Sequence, residues 1–162
     1  MVKGQLTKAL ENVDATYDEL VEIVNQIVDP YIEDVNMLID SVSRNVNDLG
    51  NDYLRDTLIK LSIRAFSFCE VKEKSVLKAQ CAETLRKEKF ALKFNETDGT
   101  SAFRENTALI NSTEEVLVEA IYELASSLFK TKLDEIHRVV DTIKTIIMSR
   151  NAEEKLNRNI SE

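Results

Sequence analysis

One stretch of the sequence, from Asn51 to Phe94, contains neither glycine nor proline. Apolar residues recur in it at intervals of three and four positions. They are Leu54, Leu58, Leu61, Ala65 and Phe68, followed by Val76, Ala79, Ala82 and Phe90. This spacing predicts a single long amphipathic helix whose apolar stripe faces a core or a partner.

The rest of the chain is also poor in residues that break helices. The 162 residues include three glycines and one proline, whereas average usage is roughly 7% and 5%. Few turns are therefore available, and a few long elements must account for the length. The hydrophobic share of 43% argues against disorder. We expect an all-α fold in which long antiparallel helices form a helical bundle or coiled coil that oligomerisation completes.

Residues 1–50 form the first predicted segment, which is acidic and helical. Its apolar series starts at Leu6 and is interrupted at Pro30, where a helix ends or bends or where a second helix begins. We expect two helices broken near Pro30. Gly50 is predicted to close the second helix in a left-handed conformation.

Residues 51–162 form the second predicted segment, a long helical hairpin with a basic central helix and a C-terminal helix. Asp98-Gly99 marks the loop that reverses the chain. The pattern Ser112-Thr-Glu-Glu115 predicts a capping box ahead of the last helix. That helix should end near Arg150, and residues 151–162 should fray.

The last helix carries a narrow apolar stripe with a small phase slip near Thr131. Stripes this narrow on helices this long favour partner helices or self-association. The predicted oligomer interface consists of Leu117, Ile121, Leu124, Leu128, Ile136, Val140, Ile143 and Ile147.

Charge is distributed unevenly along the chain. Residues 60–93 carry nine basic and four acidic residues, whereas residues 1–58 carry four and twelve and residues 95–162 carry eight and thirteen. We use the name basic island for seven of these cations, which are the predicted DNA-binding residues. They are Lys72, Lys74, Lys78, Arg86, Lys87, Lys89 and Lys93.

Two interpretations of the basic island remain open at this point. It can bind phosphates, as basic surfaces do, or it can dock against acidic segments of the same protein or of a neighbour. Phe90 and Phe94 lie among these cations and can stack on bases or belong to the core.

Signatures of common enzymes are absent from the sequence. It has no Gly-rich phosphate loop, no G-x-S-x-G and no Cys-x-x-Cys motif. His137 lies between Asp134 and Asp141, which favours a solvated histidine over a metal ligand. We therefore expect no enzymatic activity, no cofactor and no metal.

Cys69 and Cys81 are twelve residues apart on one predicted helix, or about 18 Å. This is too far for a disulfide within one chain, so they are interpreted as reduced, partly buried thiols. No window approaches the roughly 18 apolar residues of a spanning helix, and the N-terminus lacks a signal peptide. We expect no membrane association and a cytoplasmic location.

The motif Lys74-Ser-Val-Leu-Lys-Ala79, followed by Asp98-Gly99 and a last helix ending at Ser149-Arg150, resembles the UvsY-type recombination mediators of bacteriophages. The resemblance covers roughly residues 52–150. It implies a ring-like homo-oligomer that helps a recombinase load onto single-stranded DNA covered by single-strand-binding protein. Lys78 carries over as a DNA contact, whereas Gln80 stands where the family tends to have a basic residue.

Two functional hypotheses follow. The first is a non-enzymatic accessory protein of phage DNA recombination or replication that binds single-stranded DNA and helps load a recombinase. The second is a helical protein-interaction module without nucleic-acid binding, such as a secretion-type chaperone or a phage assembly component. The second hypothesis explains more simply why residues 1–58 and 95–162 are acidic.

Overall fold

The computed structural model describes the backbone of residues 2–44 and 46–160 and the side chains of residues 13–44 and 46–158. Within these ranges the chain forms four helices and no strand. They are α1 (Val2–Ser43), α2 (Asn51–Glu96), α3 (Ser101–Asn111) and α4 (Thr113–Ile160). The predicted all-α fold and the long helix from Asn51 are confirmed. The side chain of Leu6 lies outside the described residues.

The chain divides into two compact units. The first unit comprises Met1–Val28 and Lys72–Leu128, and the second comprises Asp29–Val71 and Phe129–Glu162. Helices α1, α2 and α4 each contribute residues to both units, whereas α3 lies entirely in the first.

Small side chains make up most of the core of the first unit. Among the side chains that the structure describes, its buried apolar residues are Val24, Val28, Ala79, Ala82, Ala108 and Ala125, and Ser75 and Ser112 are also buried. An alanine buries a single methyl group, and burial stabilises by about 0.8 kcal/mol per carbon. The fully buried alanines among the described residues therefore contribute little apolar stabilisation each.

Large side chains fill the core of the second unit. Phe129 makes edge-to-face contacts with Tyr31 and Phe68, each at 5.7 Å between ring centroids. Leu54, Leu61, Ile136 and Ile143 are also fully buried. Each such side chain contributes about 1.5–3 kcal/mol on burial, which is more than a buried alanine contributes.

The predicted break near Pro30 is wrong, because α1 runs through this residue. Proline lacks the N–H that would donate to the carbonyl of Gln26, and its ring crowds that carbonyl. Pro30 itself is exposed. Buried Val28 precedes it in the first unit and buried Val35 follows it in the second, so packing on both sides maintains the helix.

The role predicted for Gly50 is also wrong. Among the described residues Gly99 is the only one with a positive φ, at 126°. The carbonyl of Gly50 instead accepts from the N–H of Leu54, so Gly50 precedes α2 and does not end α1. The preceding turn is held by Arg150, whose guanidinium donates to the carbonyls of Asn47 at 2.9 Å and Leu49 at 2.5 Å.

The loop predicted at Asp98-Gly99 is confirmed and lies between α2 and α3. A Cβ on Gly99 would lie 3.2 Å from the ring of Phe103, in addition to the strain of the positive φ. Thr100 caps α3 by accepting from the N–H of Phe103.

The beginning and end of α4 both differ from expectation. The hydroxyl of Ser112 donates to the carbonyl of Leu109, and the carboxylate of Glu115 binds Lys89 of α2. The predicted capping box is therefore replaced by other contacts. Residues 151–160 are helical where fraying was expected, and Ser161 and Glu162 lie outside the described residues. None of the described helices has the length and apolar character needed to cross a membrane.

Candidate nucleic-acid interface

All seven cations of the basic island lie on the part of α2 that belongs to the first unit. Lys74, Lys78 and Lys87 are exposed, and the other four are half-buried. The helical repeat explains three of the four half-buried cations, because seven residues make about two turns. Lys72, Arg86 and Lys93 are each seven or fourteen residues from buried Ala79 and share its side of the helix.

Two half-buried cations bind carboxylates of α4. The Nε of Arg86 donates to Oε2 of Glu119 at 2.9 Å, and Lys89 forms an ion pair with Glu115. The later cation on α2 binds the earlier carboxylate on α4, which confirms the predicted antiparallel packing of these helices in the first unit. For these two residues the structure shows docking against acidic groups of the same chain.

The ion pair between Lys89 and Glu115 shifts the pKa of both groups. The hydrogen bond from Lys89 lowers the pKa of Glu115 below its ordinary value of 4.5. The same bond raises the pKa of Lys89 above 10.5. Both groups are therefore charged across the neutral pH range.

The exposed Lys78 lies beside an aromatic ring of α4. Its Nζ is 4.8 Å from the centroid of the half-buried Tyr122 ring, which is within the range of a cation–π interaction. Lys74 is four residues earlier on α2 and lies on the same face. An exposed face of the first unit thus combines two lysines and a tyrosine.

Lys87 lies elsewhere on α2. It is nine residues, or two and a half turns, after Lys78 and points to the opposite side of the helix. It binds Glu83 of its own helix at 2.6 Å, which lowers the pKa of that carboxyl. Glu83, Glu119 and Glu123 line a neighbouring groove of about 380 Å³, so Lys87 has acidic surroundings.

The two candidate stacking residues contact each other. Phe90 and Phe94 are stacked with ring centroids 6.1 Å apart, and both are half-buried. The guanidinium of Arg104 covers the Phe94 ring at 4.2 Å. Its Nε also donates to the Phe94 carbonyl at 2.8 Å. These contacts anchor α3 to the end of α2, so both rings have a structural role.

Residues of the predicted oligomer interface fall into two groups. Ile136, Val140 and Ile143 are buried in the core of the second unit and are unavailable to a partner, and Ile147 there is half-buried. In the first unit Leu117 and Leu124 are 37% exposed, and Ile121 and Leu128 are half-buried. Here the side of α4 that meets α2 carries Glu115, Glu119 and Tyr122, so its apolar stripe faces away.

No metal centre is formed by the described residues, among which no group of three histidine, cysteine or carboxylate side chains is suitably placed. His137 is exposed. It lines a groove of about 230 Å³ in the second unit together with Cys69 and Lys144. Both cysteines are free, but they are exposed instead of partly buried.

Sequence reasoning missed Tyr122, Glu115 and Glu119. Their spacing of four and three residues marked one face of α4, yet Glu115 also matched a capping box and Tyr122 lay beside the apolar stripe. Comparisons of the chain with protein-family models, curated proteins and solved structures found no match.

Proposed function

We propose that this protein is a non-enzymatic accessory protein of phage DNA recombination or replication that binds single-stranded DNA and helps load a recombinase. The face formed by Lys74, Lys78 and Tyr122 is the proposed contact. A cytoplasmic site of action, in the host cell, belongs to this proposal, as do a recombinase and a single-strand-binding protein as partners.

The pairing of Lys78 with Tyr122 is the observation that carries the proposal. Proteins that bind single strands combine cations, which bind phosphates, with aromatic rings that contact bases. Lys78 is the cation that the family resemblance selects, and it is exposed. The ammonium group of Lys78 lies over the ring of Tyr122. Lys74 adds a second exposed charge one turn away.

Self-association is part of the same proposal. Leu117 and Leu124 of the first unit are exposed at spacings that place them on one face of α4, with half-buried Ile121 between them. An exposed apolar stripe of this kind favours packing against another helix. Several copies joined in this way would also repeat the Lys74 and Lys78 charges and raise the local positive potential.

A second candidate function is a helical protein-interaction module that binds no nucleic acid. It is favoured by Leu77, Leu85 and Leu92 of α2, which are 59%, 54% and 63% exposed. The ion pairs of Arg86 and Lys89 also favour it, because they reduce the charge offered to phosphates. A secretion-type chaperone or a phage assembly component belongs to this class.

Salt dependence of binding separates the two functions. A fluorescein-labelled oligothymidine is titrated with the protein at about 50 mM and about 200 mM salt, because each phosphate contact to a single strand contributes roughly 0.7 to the slope of log K against log salt. DNA binding predicts a shift in anisotropy at low salt that weakens at high salt. The absence of a shift at low salt would overturn the DNA-binding proposal and leave the interaction module.

A further inference from the structure

Two cations of the basic island have carboxylates of α4 where a nucleic acid would offer phosphates. Arg86 binds Glu119 and Lys89 binds Glu115. The carboxylates are largely enclosed, with 20% of the Glu119 side chain and 13% of the Glu115 side chain exposed. Carboxylate and phosphate oxygens compete for the same donors, since arginine and lysine bind both.

Glu115 is incompletely satisfied in this arrangement. Its Oε2 is buried and has no hydrogen-bond partner among the described residues. A buried acceptor without a donor costs free energy that exposure to water would recover. Part of the stabilisation from the Lys89 ion pair is therefore offset, which favours exchange of the partner of Lys89.

The fully buried side chains near this contact are small. The fully buried apolar side chains that α2 and α4 supply to the first unit are Ala79, Ala82 and Ala125, which contribute one methyl group each. Segments with few buried apolar atoms open locally more often than well-packed ones. The two ion pairs therefore join α2 and α4 in a unit whose fully buried apolar side chains from these helices are small.

The released cations would extend the proposed DNA contact. Lys89 is eleven residues after Lys78, or close to three turns, and so lies on the same side of α2, roughly 16 Å along the axis. Arg86 is one turn before Lys89 and offers a planar group that can bind two phosphate oxygens.

We propose that Glu115 and Glu119 form an autoinhibitory contact, in which they occupy the phosphate-binding groups of Arg86 and Lys89 until single-stranded DNA displaces them. This inference rests on the proposed DNA-binding function. The contact lowers affinity for short or weakly bound strands, and a strand already held by Lys74 and Lys78 gains two further phosphate contacts when the carboxylates are displaced.

The variant Glu115→Gln with Glu119→Gln tests the contact, because glutamine keeps the size of the side chain and removes its charge. The matched control is Glu96→Gln with Glu105→Gln, two exposed residues of the first unit with the same change in net charge. Binding of labelled oligothymidine is measured at both salt concentrations. Circular dichroism confirms that each variant is helical.

We expect the first variant to bind about tenfold more tightly at low salt, with a salt slope steeper by about 1.4 for two added contacts. The control should change far less. Adding Arg86→Gln and Lys89→Gln to the first variant should abolish the gain, whereas general loosening of the first unit would preserve it.

The possible failures can be told apart. If the wild-type protein binds DNA and the first variant binds no more tightly than the control, the autoinhibitory contact alone is overturned. If neither the wild-type protein nor any variant binds, the proposed function fails and this inference fails with it.

Discussion

Lys78 of α2 and Tyr122 of α4 are in direct contact, with the lysine Nζ 4.8 Å from the centroid of the ring. The contact joins an exposed cation to a half-buried aromatic side chain in the first unit. Tyr122 thereby limits the positions that the lysine head group samples. Both residues belong to the proposed DNA contact.

Replacing Tyr122 by leucine should weaken binding of single-stranded DNA several-fold while leaving the helical content unchanged. The expected loss corresponds to about 0.5–1 kcal/mol, the usual value of an exposed cation–π interaction. Tyr122→Phe keeps the ring and should bind nearly as well as the wild-type protein. Titrations of labelled oligothymidine measure both, and equal losses in the two variants would show that the hydroxyl and not the ring matters.

Acidification should destabilise the protein below about pH 4.5 through Glu115. Its pKa is lowered in the folded state by the hydrogen bond from Lys89. Protonation therefore favours the unfolded chain, and the stabilisation is present above the ordinary value of 4.5 and lost as the pH falls through the lowered value. The measurement is denaturant unfolding as a function of pH.

The pKa of Glu83 is also lowered, by the hydrogen bond from Lys87. Acid should therefore still destabilise the protein when Glu115 alone is replaced. Glu115→Gln should make the acid limb of the stability curve shallower than Glu96→Gln does. Identical curves for these two variants would show that the Lys89 ion pair does not couple to folding.

Self-association should depend on exposed leucines of α4 and not on its buried isoleucines. Leu117→Glu with Leu124→Glu should lower the mass measured by light scattering and leave the helices intact, since both positions are partly exposed. Ile136→Glu should instead unfold the second unit, because a charge would be placed in a fully buried position. A monomeric mass for the wild-type protein at concentrations on the order of tens of micromolar would contradict self-association.

The helices themselves follow from the sequence to a large extent. The scarcity of glycine and proline and the spacing of Leu54, Leu61 and Phe68 fix a long helix whose stripe is indeed buried. The details of the stripe differ, because Thr57 and Ser75 are buried while their neighbours Leu58 and Val76 are only half-buried. The side of the helix on which a residue lies decides its burial at these positions, and the apolar character of the residue alone does not predict it.

Pro30 and Arg150 show where local signals are insufficient. The sequence around Pro30 predicts a break, and packing of the valines on either side overrides it. Arg150 was expected to mark the end of a helix. It instead binds backbone carbonyls more than a hundred positions earlier, among them that of Val46, a contact that no local pattern encodes.

The sequence predicts which residues carry the positive charge of the candidate site, but not which of them are exposed or which carboxylates they bind. Counting residues identified the basic island, and the spacing from Ala79 explains why Lys72, Arg86 and Lys93 face inward. The choice of Glu115 and Glu119 as partners depends on the register between α2 and α4. That register is set by tertiary packing and is not contained in either helix alone.

Paired charge reversals test whether Lys74 and Lys78 bind single-stranded DNA. Lys74→Glu with Lys78→Glu is compared with Lys130→Glu and Lys144→Glu, two exposed lysines of α4 in the second unit. Lys132 is unsuitable as a control, because its side chain is 16% exposed and bonded to Asn36 at 2.7 Å. Both variants make the same change in net charge.

Fluorescence anisotropy of labelled oligothymidine at about 50 mM salt gives the decisive comparison. We expect the Lys74 and Lys78 variant to lose binding, while the control retains most of it with unchanged helicity and mass. Equal losses in the two variants would mean that DNA is attracted by the overall charge of the protein and not by a site. Undiminished binding by the first variant would show that Lys74 and Lys78 are not the DNA contact.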